Sequence, residues 1–134
     1  MPSRLAPVRV FLVRHAAAAP GTPDDERPLT PEGQAEAAAL GERLAGESLD
    51  AVLSSPLLRA RQTADTIARA ADLQAAVHPG LAPGATADAM REAVAGHGDT
   101  VAAIAHQPDC GNIVEELTGE RRPFPTASYV ELDL

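Results

Sequence analysis

The sequence lacks residue types that whole classes of protein depend on. Lysine is absent, so all 11 basic residues are arginines, and 19 acidic residues bring the formal net charge to −8. A protein that binds nucleic acid needs a broad basic face, so this charge balance argues against a nucleic-acid partner. An anion site here must be a local arginine cluster on an acidic surface. Such a site suits a substrate with one phosphoryl group better than a long polyanion.

Cysteines, aromatic residues and long apolar runs are also scarce. The single cysteine, Cys110, forms no intrachain disulfide, which favours a reducing compartment, and a lone thiol at a helix start is commonly a packing residue. Aromatic residues make up 2% of the chain, so the core must consist of Leu, Val, Ile and Ala. No run approaches transmembrane length, and residues 1–4 do not begin a secretory signal. We therefore expect a soluble, cytoplasmic protein without a membrane partner.

The apolar runs that are present alternate between strand and helix patterns. The predicted strands cover residues 9–13, 51–53, 74–77, 100–105 and 128–132, and the predicted helices cover residues 31–45, 57–71, 86–95 and 111–117. The strand at 74–77 is a weak edge strand, and the alternation at 128–132 suits an edge or antiparallel strand. This order predicts a three-layer α/β sandwich with a mainly parallel central sheet and helices on both faces.

Three separated segments place arginine or histidine just beyond a predicted strand. They are Arg14-His15 after residues 9–13, Arg59 after Ser54-Ser55-Pro56, and His106 after residues 100–105. Ligands of parallel sheets bind beyond the carboxyl ends of the strands. Guanidinium groups offer planar sets of donors to phosphoryl oxygens, and a neutral imidazole attacks phosphorus when its other ring nitrogen donates to a fixed acceptor such as a backbone carbonyl. The pattern predicts a phosphatase with His15 as nucleophile and His106 as a transition-state donor.

Several of these residues also have plainer interpretations. A histidine at a strand end is commonly a hydrogen-bonded structural residue, and Arg59 can be a solvated residue in the first turn of its helix. His78 and His97 are interpreted as surface residues. The sequence has no His-x-His or HExxH pattern and no carboxylate cluster, so we expect neither a metal nor another cofactor.

Longer motifs surround the candidate residues. They are Val13-Arg14-His15-Ala16, Arg27-Pro28-Leu29-Thr30-x-x-Gly33, Ser55-Pro56-x-x-Arg59-Ala60-x-Gln62-Thr63 and Ala105-His106-Gln107-Pro108. With these motifs the chain resembles the histidine phosphatase superfamily over nearly its whole length, and most closely the small SixA-type phosphohistidine phosphatases. The resemblance implies a phosphoglycerate mutase-like fold in a single domain, residues 1–134, without a cap insertion. It also implies a site open enough for a protein substrate.

The resemblance assigns roles position by position. The residues that it places in the phosphate pocket are Arg14, His15, Arg59 and His106, with His15 as the phosphorylated nucleophile. Arg27 and Asp24 match positions that lie near the anion in SixA-type proteins. Arg27 can instead bridge to a neighbouring carboxylate, and Asp24 can cap its loop.

The chain departs from the wider family at two places. Ala16 replaces the glycine of the common Arg-His-Gly motif, which implies an ordinary φ there. Residues 81–87 lack the carboxylic acid that mutases and broad-specificity phosphatases place between the second arginine and the second histidine. A sugar alkoxide needs a proton to leave, whereas imidazole leaves a P–N bond readily. The missing acid favours a phosphoramidate substrate, unless Asp88 or Glu92 supplies the proton.

Three functions remain open at this point. The first is a phosphohistidine phosphatase that acts on a phosphorylated histidine-containing protein domain through a covalent phosphohistidine intermediate. The second is a small-molecule phosphomonoesterase of the same superfamily, and the third is a non-catalytic phosphate-binding module. We expect the protein to act as a monomer.

Overall fold

Strands and helices alternate along the chain in the predicted order. The computed structural model describes residues 7–134, and the expectation about a signal segment at residues 1–4 lies outside this part of the chain. The elements are β1 (Arg9–Arg14), α1 (Pro31–Ala45), β2 (Ala51–Ser54), α2 (Leu58–Ala70), β3 (Ala75–Val77), α3 (Ala87–Val94), β4 (Thr100–Ala105), α4 (Asp109–Thr118) and β5 (Tyr129–Asp133). Within residues 7–134, no helix combines the length and the apolar character needed to cross a bilayer.

The five strands form one mixed sheet in the order β3-β2-β4-β1-β5. Strand β4 pairs in parallel with β1 and β2, and β3 pairs in parallel with β2, whereas β5 runs antiparallel to β1. The predicted α/β fold is confirmed, but the prediction of a mainly parallel sheet is corrected to a mixed one. The cause is the segment after α4, which returns the chain to the carboxyl end of β1. There the Ala127 N–H donates to the carbonyls of Arg14 and His15, so β5 starts at that end.

Two apolar layers cover the two faces of the sheet. Successive strand residues point to opposite faces, so neighbours in β1 enter different layers. One layer joins Phe11, Val13, Val52 and Ile104 to Leu40, Leu44 and Ile67 of α1 and α2. The other joins Val10, Leu12, Leu53 and Val101 to Met90, Val94, Ile113 and Val114 of α3 and α4. The prediction of helices on both faces is therefore confirmed.

The helix boundaries follow the signals in the sequence with one clear difference. Thr30 caps α1 by accepting a hydrogen bond from the Gly33 N–H at 2.9 Å, and α1 ends before Gly46 as predicted. Helix α4 begins at Asp109, two residues before the predicted start at Gly111. An acidic residue just after a proline is a favourable helix start, and the glycine is simply an interior residue of the first turn.

Gly33 lies where α1 packs against the loop that follows β1. A Cβ atom added to Gly33 would overlap the carbonyl oxygen of Ala17. The same carbonyl accepts a hydrogen bond from the Thr30 N–H at 3.0 Å, and the Ala17 N–H donates to Glu36 Oε1 at 2.9 Å. The start of α1 therefore holds the backbone two residues after His15.

Replacing Gly33 with alanine should destabilise the protein. Overpacking against a fixed backbone lowers the free energy of unfolding by about 1–3 kcal/mol, and this loss outweighs the higher helix propensity of alanine. Urea unfolding of Gly33→Ala measures the effect. Gly46→Ala is the matched control, because Gly46 has an ordinary φ of −76° and its added Cβ would lie 3.7 Å from the Arg43 carbonyl oxygen. Wild-type stability in Gly33→Ala would contradict the packing described for this loop.

Candidate active site

The carboxyl ends of three adjacent strands meet at one edge of the sheet. Strand β4 lies between β1 and β2, and its last residues accept hydrogen bonds from the residues that follow both neighbours. The His15 N–H donates to the Ala105 carbonyl at 3.2 Å, and the Ser55 N–H donates to the Ile104 carbonyl at 3.0 Å. The structure thereby brings His15, Ser55 and His106 together beyond this edge.

His15 is a buried imidazole with a defined free nitrogen. Its side chain is held by Nδ1, which lies 2.7 Å from the Ala16 carbonyl oxygen. Because a carbonyl only accepts, Nδ1 carries the ring proton and Nε2 keeps a lone pair. The Ala16 N–H donates in turn to Thr63 Oγ1 at 3.0 Å, and the φ of Ala16 is not positive, as expected. The acceptor is a backbone carbonyl, and Nε2 is the nitrogen available to attack an electrophile.

His106 lies against His15 and is held from its other side. The two ring centroids are 5.1 Å apart with an interplanar angle of 57°. Nε2 of His106 lies 2.7 Å from Ser55 Oγ, and both residues are buried. Nδ1 of His106 is buried and has no hydrogen-bond partner. The ring therefore presents one engaged nitrogen and one unengaged nitrogen at the edge of the sheet.

The arginines of the site are fixed by backbone oxygens and by Asp24. Arg14 Nη1 donates to the Phe124 carbonyl at 2.9 Å. Arg59 is only 8% exposed, and its Nη1 donates to the Asp24 carbonyl at 2.8 Å. The Asp24 carboxylate contacts Arg59 Nη2 at 3.2 Å and Arg27 Nη1 at 3.3 Å. Arg59 is thus no solvated helix residue. Arg27 makes the carboxylate bridge foreseen as its plainer interpretation, and Asp24 bridges two arginines instead of capping its loop.

Three buried side-chain nitrogens of the site lack partners. Within residues 7–134, the buried side-chain nitrogen and oxygen atoms without a hydrogen bond are Arg14 Nε, Arg27 Nε and His106 Nδ1. Buried polar atoms are nearly always hydrogen-bonded, so a group of unpaired ones calls for an explanation. All three belong to residues that the sequence analysis had placed near a phosphate.

Burial and positive charge keep both imidazoles neutral. Burial lowers the pKa of His15 despite the Ala16 hydrogen bond, and the charges of Arg59, Arg14 and Arg27 lower that pKa further. Burial likewise lowers the pKa of His106 to about 3, with smaller contributions from His15 and Arg59. All three arginines therefore lie near enough to His15 to act on its charge. A neutral His15 is the form that can act as a nucleophile.

Cys110 has no chemical role in this arrangement. Burial raises the pKa of its thiol to about 12, because a thiolate would be desolvated there and would lie close to Asp109. Its sulfur faces the Val13 carbonyl oxygen at 3.8 Å. The thiol packs against the core, as its plainer interpretation predicted.

Other candidates lie outside the cluster. Asp88 and Glu92 are exposed on α3, and neither is hydrogen-bonded to a residue of the site. His97 is exposed as expected, and His78 is partly exposed. His78 is half-buried because its Nδ1 turns back to accept from the Gly80 N–H at 2.9 Å. Within the described part of the chain, no group of three or more His, Cys, Asp or Glu residues is arranged to hold a metal ion.

Sequence reasoning assigned no role to the polar residues that orient the site. Ser55 contacts His106, and Thr63 links the Ala16 N–H to the Arg59 carbonyl at 2.8 Å. Thr63 lies one helical turn after Arg59 on the buried face of α2, beside alanines and an isoleucine. A threonine on an apolar helix stripe is the signal that could have identified it. Ser55 carried no comparable signal, because its partner is distant in the chain.

Comparisons with known proteins agree with this geometry. Residues 10–83 match the model of the histidine phosphatase superfamily (branch 1). An uncharacterised protein from Picosynechococcus sp. is 35% identical over 123 residues, which span 82% of this chain and 73% of that protein. The structure of the protein histidine phosphatase SixA complexed with tungstate is 34% identical, with a TM-score of 0.80 over 92% of this chain and 86% of that one.

Two further structures show how far the similarity extends. A candidate phosphohistidine phosphatase SixA from Agrobacterium tumefaciens is 30% identical, with a TM-score of 0.80 over 95% of this chain and 92% of that one. A phosphoglycerate mutase from Bacillus anthracis is 15% identical, with a TM-score of 0.77 over 96% of this chain and 88% of that one. At that identity the second similarity concerns the fold alone.

The two neutral histidines should make stability depend on pH. Unfolded histidines titrate near pH 6.5, whereas the pKa of His106 in the folded protein is about 3. Between these values the unfolded chain binds more protons, so the free energy of unfolding should fall as the pH falls below about 6.5. Urea unfolding between about pH 7 and pH 5, without phosphate or sulfate, measures the slope. His106→Gln should flatten it and the exposed His97→Gln should not; equal slopes in all three proteins would contradict the buried neutral ring.

Proposed function

The chain belongs to the histidine phosphatase superfamily, and from that premise we propose that it is a phosphohistidine phosphatase acting on a phosphorylated protein histidine. Membership and the SixA neighbours make it a hydrolase, specifically a phosphatase. The finer assignment rests on one observation. The unpartnered buried nitrogens belong to Arg14, Arg27 and His106, whose charges or ring lie close to a nucleophilic His15, and a phosphoryl group supplies the oxygens that these nitrogens lack.

The proposed reaction has two steps. In the first, Nε2 of His15 forms a bond to phosphorus while the P–N bond to the substrate imidazole breaks; the substrate ring, protonated on its other nitrogen, keeps the bonding electrons and leaves as neutral imidazole. In the second, water attacks the phosphohistidine, which releases inorganic phosphate and restores His15. Arg14 and Arg59 bind the phosphoryl oxygens, and His106 donates to the oxygen charge that grows in the transition state.

Arg27 and Asp24 support this pocket in different ways. Arg27 contributes a buried donor without a partner, its Nε, and its charge acts on His15. Asp24 is an anion and so repels a phosphate directly. Its carboxylate fixes the guanidinium groups of Arg59 and Arg27, and its backbone carbonyl holds Arg59 a second time. We assign Asp24 to the site as the residue that orients two phosphate-binding arginines.

The surroundings of the pocket favour a P–N substrate. Residues 81–87 contain no acid, and the Gly84 and Ala85 N–H groups are tied to the Asp109 carboxylate at 2.8 and 3.1 Å. Asp24 accepts from two arginines, so a proton on it would weaken both ion pairs. With no acid poised to protonate a leaving alkoxide, the substrate must carry a leaving group that departs unaided. The imidazole of phosphohistidine does so.

The proposal extends to the oligomeric state, the substrate and the cellular location of the enzyme. We propose that the enzyme acts as a monomer. The side chain of Asp24 is 65% exposed, so solvent reaches the edge of the site beside Arg59, and from this side we expect a phosphorylated histidine of another protein to approach. Tungstate is a tetrahedral oxyanion like phosphate, and its complex with a SixA relative supports an oxyanion ligand. The buried free thiol of Cys110 supports a cytoplasmic location.

Replacing His15 with alanine should abolish turnover of a phosphohistidine protein without unfolding the enzyme. Alanine cannot form the N–P bond, and His15 lies outside both large apolar layers. Rapid quenching after mixing with ³²P-labelled phosphohistidine protein should trap an acid-labile, base-stable phosphate on the wild type and none on His15→Ala. His106→Ala should slow phosphoryl transfer by about 10²–10³-fold, the usual loss for one transition-state donor. His97→Ala is the control, and undiminished turnover by His15→Ala would refute the covalent route.

The rate should depend steeply on the leaving group. Phosphohistidine and phosphoramidate should be hydrolysed well, activated aryl phosphates poorly, and alkyl phosphates hardly at all, because no acid is poised to protonate an alkoxide. Steady-state rates on a phosphohistidine protein, p-nitrophenyl phosphate and a sugar phosphate measure this order.

The exposed carboxylates of α3 provide the matching test. Asp88→Ala and Glu92→Ala should leave all three rates unchanged. Efficient hydrolysis of the sugar phosphate, lost in either variant, would reveal a hidden acid and favour a small-molecule phosphomonoesterase. Binding of phosphate without hydrolysis of any substrate would favour a non-catalytic module.

A further inference from the structure

We propose that Ser55 is a positioning residue that holds His106 in the Nδ1–H tautomer and so gives the site an N–H donor for a phosphoryl oxygen. The identity of the acceptor rests on the proposed function. The tautomer is a property of the protein without ligand, and it follows from contacts among described residues.

Hydrogen bonds to its backbone and to its hydroxyl fix the position of Ser55. It is fully buried, and its N–H donates to the Ile104 carbonyl at 3.0 Å, which ties it to the end of β4. Its hydroxyl oxygen accepts from the Leu57 N–H at 3.2 Å and lies 2.7 Å from His106 Nε2. The Ser55 hydroxyl therefore has two polar neighbours, one of which can only donate.

Counting protons distinguishes the two possible tautomers of His106. If Nε2 carried the proton, it would donate to Ser55 Oγ, and the buried hydroxyl proton would have no acceptor. Nδ1 would then be a second unpaired atom. If Nδ1 carries the proton, the hydroxyl donates to Nε2 and accepts from Leu57, and only the Nδ1–H remains unpaired. The second arrangement leaves fewer buried polar groups without a partner, which strongly favours it.

The protonated ring is excluded on separate grounds. Burial, with smaller contributions from His15 and Arg59, lowers the pKa of His106 to about 3. At neutral pH the ring therefore carries one proton. Without the hydroxyl of Ser55, that proton would have no fixed position.

The free N–H points away from Ser55. Ser55 follows β2, on one side of β4, and His15 follows β1, on the other side. The two nitrogens of an imidazole point in divergent directions, so a ring whose Nε2 meets Ser55 directs Nδ1 away from Ser55. The ring centroids of the two histidines are 5.1 Å apart, so the ring that carries this N–H lies next to the ring of the nucleophile.

Both histidines thus carry their proton on Nδ1 but use opposite nitrogens. The Ala16 carbonyl holds the Nδ1–H of His15 and frees a lone pair for attack. The Ser55 hydroxyl holds the Nε2 lone pair of His106 and frees an N–H. A phosphoryl oxygen only accepts hydrogen bonds, so the other tautomer of His106 would oppose it with a lone pair.

Nitrogen NMR of the ligand-free, ¹⁵N-labelled protein tests the tautomer directly. Two-bond ¹H–¹⁵N spectra near neutral pH should show a protonated Nδ1 and a bare Nε2 for His106, assigned by the signals lost in His106→Gln. Addition of inorganic phosphate should shift the Nδ1–H proton of His106 downfield. A protonated Nε2 in the ligand-free wild type, or an Nδ1–H that phosphate leaves unmoved, would overturn the inference.

Variants connect the tautomer to the reaction. Ser55→Ala should populate the Nε2–H form of His106 and lower kcat by ~10 to 10²-fold with a smaller change in KM, since a misplaced donor loses part of its transition-state effect. Ser55→Thr keeps the hydroxyl and should restore the tautomer. Ser54→Ala is the matched control, because the buried Ser54 hydroxyl donates to the Ser55 carbonyl at 2.7 Å and does not bond His106. It should keep the Nδ1–H form and most of the activity.

The outcomes separate this inference from the proposed function. An unchanged tautomer and an unchanged kcat in Ser55→Ala would overturn the inference. If Ser55→Ala fails to fold, the wild-type spectrum still decides the tautomer. If the wild type has the Nδ1–H form and responds to phosphate but hydrolyses no phosphohistidine protein, the inference stands and the proposed function fails.

Discussion

The parallel pairing of β4 with both β1 and β2 is the constraint on which the site depends. It aligns Arg14 with Ala105 and Ser54 with Ile104, so the residues that follow these positions leave the sheet side by side. A shift of one residue in either pairing would turn every side chain of the strand to the other face. The buried apolar layers on both faces prevent such a shift, and the core therefore sets the distance between the two histidines.

Electrostatics explains how cations persist in a buried pocket of an acidic protein. Unpaired guanidinium groups are unfavourable where water is scarce, and the structure relieves this with backbone oxygens and with Asp24. The two imidazoles contribute no further positive charge, because burial lowers the pKa of His15 and of His106. The anion site is therefore a local concentration of arginines in a protein whose formal net charge is −8.

The sequence predicts the fold better than it predicts the orientation of side chains in the site. Apolar runs and helix caps place each element to within a few residues, and the strand ends indicate Arg14, His15 and His106, because these signals are local. The direction of β5 depends on where the segment after α4 returns, which no local pattern encodes. The bond between Ser55 and His106 joins residues 51 positions apart, and the bridge from Asp24 to Arg59 joins residues 35 apart. Such contacts exist only after the sheet has formed.

Under the proposed function, the groups at the edge of the sheet determine which leaving group the site accepts. The fold is shared with a phosphoglycerate mutase, so the sheet and its covering helices do not choose the leaving group. Here the backbone of residues 84–85 donates to Asp109, whose carboxylate is thereby committed as an acceptor. Under the proposed function, the histidines are committed as well, His15 as the attacking nitrogen and His106 as a donor to oxygen. Under the proposed function, the groups near phosphorus either bind the phosphoryl oxygens or attack phosphorus. The proton that makes imidazole a good leaving group is carried by the substrate's own ring.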